Sequence, residues 1–245
     1  MTLTKVFGIH SVQSILDYSP DKIHQAWIGK NRHDQRFQNL IERLIGQKIR
    51  LEKVDRKILD KLSDGKNHQG IIIDVEMPRA KTEHQLKQDV IDLPEPAFFL
   101  VMDHVQDPHN LGACLRTADA VGVHGVIVTK DQAAGITGTV CRVACGAAET
   151  VPVYQVTNLV RTLSWMKTQG IWIIGAAGEA ELSLYQADFI GSIALVVGAE
   201  EKGMRRLTRE NCDLLVKIPM VGEIESLNAS VAAAVLMYEA FRQKN

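Results

Sequence analysis

The sequence predicts an α/β fold with a mostly parallel sheet, and three observations lead to that reading. From residue 97 onward, short apolar runs alternate with stretches of helical period. Those runs are apolar on both faces, as strands covered by helices on both sides require. Three of the turns that follow a run are polar, carry glycine and open a helix. They are Asp107-Pro-His-Asn-Leu-Gly-Ala-Cys-Leu-Arg-Thr117, Gly198-Ala-Glu-Glu-Lys-Gly203 and Ile218-Pro-Met-Val-Gly-Glu-Ile-Glu-Ser-Leu-Asn-Ala-Ser230. Open α/β sheets hold ligands at strand ends of this kind.

In chain order, residues 1–75 read as a small α/β unit. Strands are expected at 26–29, 49–54 and 70–75, and helices at 10–18 and 36–45, where apolar residues recur three or four apart. Residues 63–70 form a polar, glycine-bounded loop. Residues 76–96 show no apolar period, hold Pro78, Pro94 and Pro96 and are rich in charge, which predicts a linker. Residues 97–245 form the larger domain. Its strands are expected at 98–102, 125–128, 171–174, 193–197 and 214–218, its helices at 111–121, 159–168, 204–211 and 228–242.

The bulk numbers exclude several classes. The chain is 46% hydrophobic and 23% charged, the composition of an ordinary globular protein. No apolar run reaches the ~20 residues of a membrane span. The first residues lack the apolar core of an export signal, so a cytoplasmic chain is expected. Cys114, Cys141, Cys145 and Cys212 form no C-x-x-C pair, and reduced packing thiols are the expectation. His104, His109 and His124 share no metal-ligand spacing, so no metal is expected.

Net charge is −1 overall, but residues 1–73 carry 13 basic against 8 acidic side chains. A basic front end on a mildly acidic body suits a polyanion held by that front end. An ordinary fluctuation of surface charge accounts for the same numbers.

Each motif has a plain structural reading beside a functional one. The 198–203 turn is not a phosphate loop, because Met204-Arg205 stands where Lys-Ser/Thr would be needed, and no G-x-G-x-x-G fingerprint is present. That weakens a nicotinamide oxidoreductase. Glu200 is either a chemical group at a strand end or an acid complementing a helix dipole. Capping explains one of Ser226 and Asn228 but not their clustering with Gly222 behind Pro219. Arg116, among Ala113, Leu115 and Ala118, reads as a partly buried, paired guanidinium or as a surface arginine.

Taken together these residues resemble the three signature motifs of the SpoU family of knotted RNA ribose methyltransferases. Asn110-Leu-Gly112 with Arg116 is similar to the first motif, Gly198 with Glu200 and Gly203 to the second, and Ile218-Pro-Met220, Gly222 and Ser226-Leu-Asn228 to the third. Glu201 departs from the pattern, since many relatives have glycine there. The segment with Gly8-Ile-His10, Ser63-Asp-Gly65 and Gln69-Gly70 resembles a small RNA-binding domain of ribosomal-protein type.

The resemblance implies a C-terminal trefoil knot, which topology rules alone do not predict. It implies S-adenosylmethionine as cofactor, held by Gly198, Gly203, Ile218, Met220 and Leu227. It implies a catalytic set of Arg116 with Asn110, Glu200, Ser226 and Asn228. The implied reaction is 2′-O-methylation of a guanosine in 23S ribosomal RNA, in the peptidyl-transferase-centre region. The implied partners are that RNA or a ribosome assembly intermediate, and a second copy of the chain docked through the C-terminal domain. The alternatives are a transfer RNA ribose methyltransferase of the same family and a non-catalytic ribosome-assembly factor.

Overall fold

The structure, a computed structural model, describes residues 3–30, 32, 34–93, 96–199, 202–224 and 226–245. The chain divides into two units. One comprises the residues up to Pro78 with Ile136–Gly146, the other Arg79–Gly135 with Ala147–Asn245. Pro94, Glu200 and Glu201, all singled out above, lie outside the described residues.

The first unit contains β1 (Leu3–Phe7), α1 (Ile9–Tyr18), β2 (Ile23–Gly29), α2 (Gln35–Gly46), β3 (Arg50–Val54), α3 (Arg56–Leu62) and β4 (Ile71–Glu76). Its sheet runs β1-β4-β2-β3, with β4 antiparallel to both neighbours and β2 parallel to β3. The run Ile71-Ile72-Ile73 is apolar throughout because β4 is central. Successive side chains point to opposite faces. Ile71, Ile73 and Val75 join the core under α1 and α2, while Ile72 packs with Val54 and Leu59 on the α3 side. α2 starts where the Asp34 side chain accepts the Phe37 N–H at 3.1 Å, and it buries Phe37, Leu40 and Leu44. β1 and α3 carry little sequence signal. β1 is an edge strand with three exposed residues, and α3 buries only Leu59.

The second unit begins inside the stretch that reads as a linker. Residues 76–96 include β5 (Lys81–Thr82) and α4 (Glu83–Asp92). The reciprocal Thr82/Gln85 capping box starts this helix, and Leu86 and Val90, four residues apart, enter the main core. Two apolar residues among charges are a faint period, and burial depends on the partner sheet rather than on the helix itself. Lys81 Nζ and Tyr154 OH each donate to Asp89 Oδ2 at 2.7 Å, pinning the segment to that sheet.

The remaining elements are β6 (Phe98–Asp103), α5 (Pro108–Ala120), β7 (Gly125–Thr129), α6 (Gly138–Ala144), α7 (Ala147–Thr150), β8 (Val153–Val156), α8 (Leu159–Thr168), β9 (Trp172–Ala176), β10 (Leu182–Ser183), β11 (Ile193–Gly198), α9 (Arg206–Glu210), β12 (Leu214–Lys217) and α10 (Ala229–Lys244). Of these, α6 belongs to the first unit. The strand order is β10-β12-β9-β11-β6-β7-β8-β5, and every described pairing is parallel. The five strands expected from apolar runs all form. β8 was not expected, because Val153-Tyr-Gln-Val156 alternates with a polar residue. α5 and α10 pack on each other, and α10 packs on β11.

The cysteines are free. Burial pushes the Cys114 and Cys212 thiols up to about 12, so both act as packing groups. His124 is a satisfied histidine, its Nδ1 accepting the Phe98 N–H at 3.0 Å. Among the described residues no cluster of metal-ligating side chains forms, and no helix is long and apolar enough to cross a membrane.

Replacing Leu86 with Ala is expected to lower unfolding free energy by about 2–5 kcal/mol, the cost of a large-to-small change in a core. Denaturant titration measures it. A linker residue would cost less than about 0.5 kcal/mol.

Candidate active site

β6 and β11 are the central pair of the second unit. The chain builds outward from β6 through β7 and β8 on one side, and β11, β9 and β12 lie on the other. The crevice beyond the carboxyl ends of such a central pair is where open parallel sheets bind ligands. Asp103 and Gly198 are register partners at those ends. The side chain of Asp103 is fully buried, and its Oδ2 accepts the Arg205 N–H at 2.7 Å. Its Oδ1 pairs with Nδ1 of His104, a residue in the left-handed region at φ 58°. The carboxylate thus ties the end of β6 to the start of α9, 102 residues further along.

Gly198 is required where it stands. A Cβ there would lie 2.0 Å from the Gly203 carbonyl carbon and 2.1 Å from the Met204 nitrogen. The turn folds straight back over the strand end, closed by Gly203 N–H donating to Ala199 O at 2.8 Å, with Gly203 at φ 62°. Two clefts adjoin this turn and share Ala199 and Gly203.

The first cleft, about 150 Å³, is mainly apolar. It is lined by Ala176, Ala177, Gly178, Val197, Gly198, Val216, Ile218, Met220, Ser226, Leu227, Ala229 and Ala232. The second, about 490 Å³, is the more polar of the two. Its walls include His104, Gln106, Asp107, Asn110, Gln132, Lys202 and Arg205.

The three sequence motifs therefore meet. Gly198, Gly203, Ile218, Met220 and Leu227, expected at the cofactor, all line the apolar cleft, and Ser226 joins them there. Asn110 is buried in the first turn of α5 and lines the polar cleft. Asn228 caps α10, its Oδ1 accepting the N–H groups of Ser230 and Val231 at 2.9 and 3.3 Å. Its Nδ2 donates to Asn110 Oδ1 at 3.0 Å, across 118 residues of chain. One asparagine both starts the last helix and braces it against the first motif, which is why capping alone left the motif half explained.

Arg116 is exposed, not partly buried as one reading had it, and it lines neither cleft. Six residues beyond Asn110, it stands about 9 Å further along the helix and on another face. Ala176-Ala177-Gly178 was not expected at the site. Its signal was its position after an apolar run, the same signal that located the other turns. His104, Gln132 and Arg205 were not expected as a group, because only folding brings three separate turns to one cleft. Asp107 caps α5 and is held below the usual carboxylate range by hydrogen bonds from the His109 backbone and ring.

Replacing Gly198 with Ala is expected to displace the turn and open the apolar cleft. Calorimetry should show S-adenosylmethionine affinity reduced by at least about tenfold, one pair of non-hydrogen atoms forced within contact distance being enough to move the backbone.

Comparison with known proteins follows this geometry. Residues 97–238 match the model of the SpoU rRNA Methylase family, and residues 5–80 match the model described as RNA 2'-O ribose methyltransferase substrate binding. The chain is 48% identical over 241 residues to the 23S rRNA (guanosine-2'-O-)-methyltransferase RlmB of Shewanella oneidensis, covering 98% of this chain and 97% of that protein. It is 49% identical over 240 residues to RlmB of Escherichia coli, covering 98% of each.

Among solved structures, the SpoU methyltransferase AviRb from Streptomyces viridochromogenes, in complex with the cofactor AdoMet, superposes with a TM-score of 0.65. Identity is 24%, over 99% of this chain and 90% of that one, a likeness of fold. The TrmH/SpoU tRNA modifying enzyme of A. aeolicus is 30% identical over 66% of this chain and 83% of its own, with a TM-score of 0.56. A family model over most of the larger unit and full-length relatives near one-half identity place this chain in the SpoU rRNA methylase family.

Proposed function

We propose that this chain transfers a methyl group from S-adenosylmethionine to the ribose 2′-oxygen of a guanosine in 23S ribosomal RNA, in the cytoplasm. The observation that carries this reading is near-complete alignment with two RlmB proteins, at 48% and 49% identity. The A. aeolicus tRNA modifying enzyme matches only two-thirds of the chain at 30% identity, so the RlmB alignment favours ribosomal RNA as the substrate. The knot that the family carries belongs to the larger unit.

The apolar cleft suits the cofactor. Glycines and alanines at 176–178, 198–199 and 203 leave backbone groups open to a ligand, and Ile218, Met220 and Leu227 offer apolar surface to a flat ring. When bound, the sulfonium supplies a methyl group that an oxygen attacks in line, leaving a thioether. The residues of this chain do the rest. The Asn110–Asn228 brace ties a residue of the polar cleft to the start of the helix that walls the apolar cleft, so that an acceptor nucleotide bound at the polar cleft is held in place relative to the donor. Ser226 lines the donor side and orients what binds there.

The family resemblance assigns Arg116 to the negative charge that develops on the 2′-oxygen; because Arg116 lines neither cleft, this role requires the ribose to lie against the exposed face of α5. Arg116 does not take the proton, since arginine stays protonated in proteins. A phosphate oxygen of the RNA accepts it. The role given to Glu200 falls outside the described residues.

The first unit is the RNA-docking part. Its cavity of about 740 Å³ is lined by Lys30, Arg32, Arg56, Lys66 and His68, with Asp55 and Asp60 the acidic members. Such a surface binds phosphate with salt-dependent affinity. A homodimer through the C-terminal domain is supported by α10, which exposes Val231, Tyr238 and Phe241 in one stripe, with the Tyr238 and Phe241 rings packed edge to face at 6.3 Å.

Two outcomes are expected. Arg116→Ala should lower kcat by roughly 10²–10³ while cofactor affinity stays near that of the unchanged protein; turnover at the normal rate would refute the role given to Arg116. Tyr238→Glu should halve the mass seen in sedimentation equilibrium, and a Tyr238→Glu protein that sediments like the parent removes this face as the dimer surface.

A further inference from the structure

The polar cleft carries more functional groups than methyl transfer uses. Two cations line it, Lys202 and Arg205, and neither pairs with a carboxylate among the described residues. The neighbouring Arg206 and Arg209 do pair, with Glu210 and Glu179. Arg205 is also held in place. Its backbone N–H is fixed by buried Asp103 at 2.7 Å, and its Nη2 donates to Gln132 Oε1 at 2.8 Å. Immobilising a long side chain before the ligand arrives reduces the ordering cost of binding.

Among the described residues the cleft has one carboxylate on its wall, Asp107. His109 occupies its Oδ1 twice, through the backbone N–H at 2.8 Å and the ring at 3.0 Å. Oδ2 has no partner among the described residues. Those same bonds hold the carboxyl below its ordinary range. The cleft therefore offers strong donors and a strong acceptor together.

Guanine has the complement of that set. Its O6 and N7 accept, and its N1–H and 2-amino group donate. Arginine against O6 and N7 is the commonest specific contact to guanine. Adenine presents an amino donor where guanine has O6 and an acceptor at N1, so both ends of the cleft would face groups of their own polarity. Bases splayed out of single-stranded RNA are read on these edges.

We propose that this cleft receives the guanine base of the acceptor nucleoside, with Arg205 and Lys202 donating to O6 and N7 and Asp107 Oδ2 accepting from N1–H and the 2-amino group. Asp107 and Arg205 are then the residues that set base specificity. This rests on the methyltransferase reading above.

The experiment is methyl transfer by the full-length protein to one RNA carrying guanosine, inosine, 7-deazaguanosine or adenosine at the nucleotide it methylates. Inosine lacks the 2-amino group and 7-deazaguanosine lacks N7. The unchanged protein should prefer guanosine over each analogue in kcat/KM, by on the order of tenfold to a hundredfold. Asp107→Asn keeps a good helix cap and should collapse the guanosine-to-inosine ratio toward one. Arg205→Ala should collapse the guanosine-to-7-deazaguanosine ratio. Cofactor affinity by calorimetry should hold in both variants, since neither residue lines the apolar cleft. Ratios equal to the parent's in both variants, alongside normal methylation of guanosine RNA by the parent, would overturn this inference and leave the reaction standing. A parent protein that transfers no methyl group to any of the RNAs would remove the reading and this inference together.

Discussion

The missing side chain at position 198 is the constraint on which the site depends. The backbone of Gly203 and Met204 occupies the space a Cβ would need. That close approach lets the chain reverse at the very end of a buried strand. The reversal has two consequences. It makes the shared wall, Ala199 and Gly203, of an apolar and a polar cleft. It also delivers Arg205 to the end of β6, where buried Asp103 captures its N–H. A carboxylate buried to this degree is costly unless its oxygens are satisfied, and here a main-chain donor and a histidine ring satisfy them.

A second fixture acts from the other side. Asn228 spends its oxygen on starting α10 and its amide nitrogen on Asn110. The brace sets the position of the last helix relative to α5, and with it the 218–227 segment that walls the apolar cleft. The two clefts, the donor and acceptor sites of the proposed reaction, are thus held by bonds among three turns, each short and each carried on a rigid strand or helix. Precision of that kind is what in-line transfer demands, because there is no covalent intermediate to correct a misplaced substrate.

The two units divide the work by surface chemistry. The larger one keeps its chemistry at strand ends beneath a turn. The smaller one carries a basic cavity remote in sequence from the motifs. On the proposed reading, positive charge there raises local RNA concentration without specifying sequence. Specificity has to come from groups that read base edges, and the polar cleft is where such groups gather.

Much of this was legible before folding. Both-face apolar runs mark buried parallel strands because a sheet covered on two sides has no polar face, and all five expected strands of the larger unit form. Gly198, Gly203, Ile218, Met220 and Leu227, named from the resemblance to the family's motifs, come together around one cleft. What the sequence did not show was α4, read as linker, because a helix needs only Leu86 and Val90 on one face when a sheet supplies the rest of the core. Nor did it decide between a surface and a partly buried place for Arg116. Neighbouring alanines and leucines tell which face of α5 is buried only once α10 is in place.

The polar cleft was decided entirely by tertiary structure. His104, Gln132 and Arg205 sit on three turns with no common spacing, and no periodicity links them. Periodicity records how one element meets its own core. Which loops face each other depends on strand order, and strand order is set by long-range packing that no local pattern encodes.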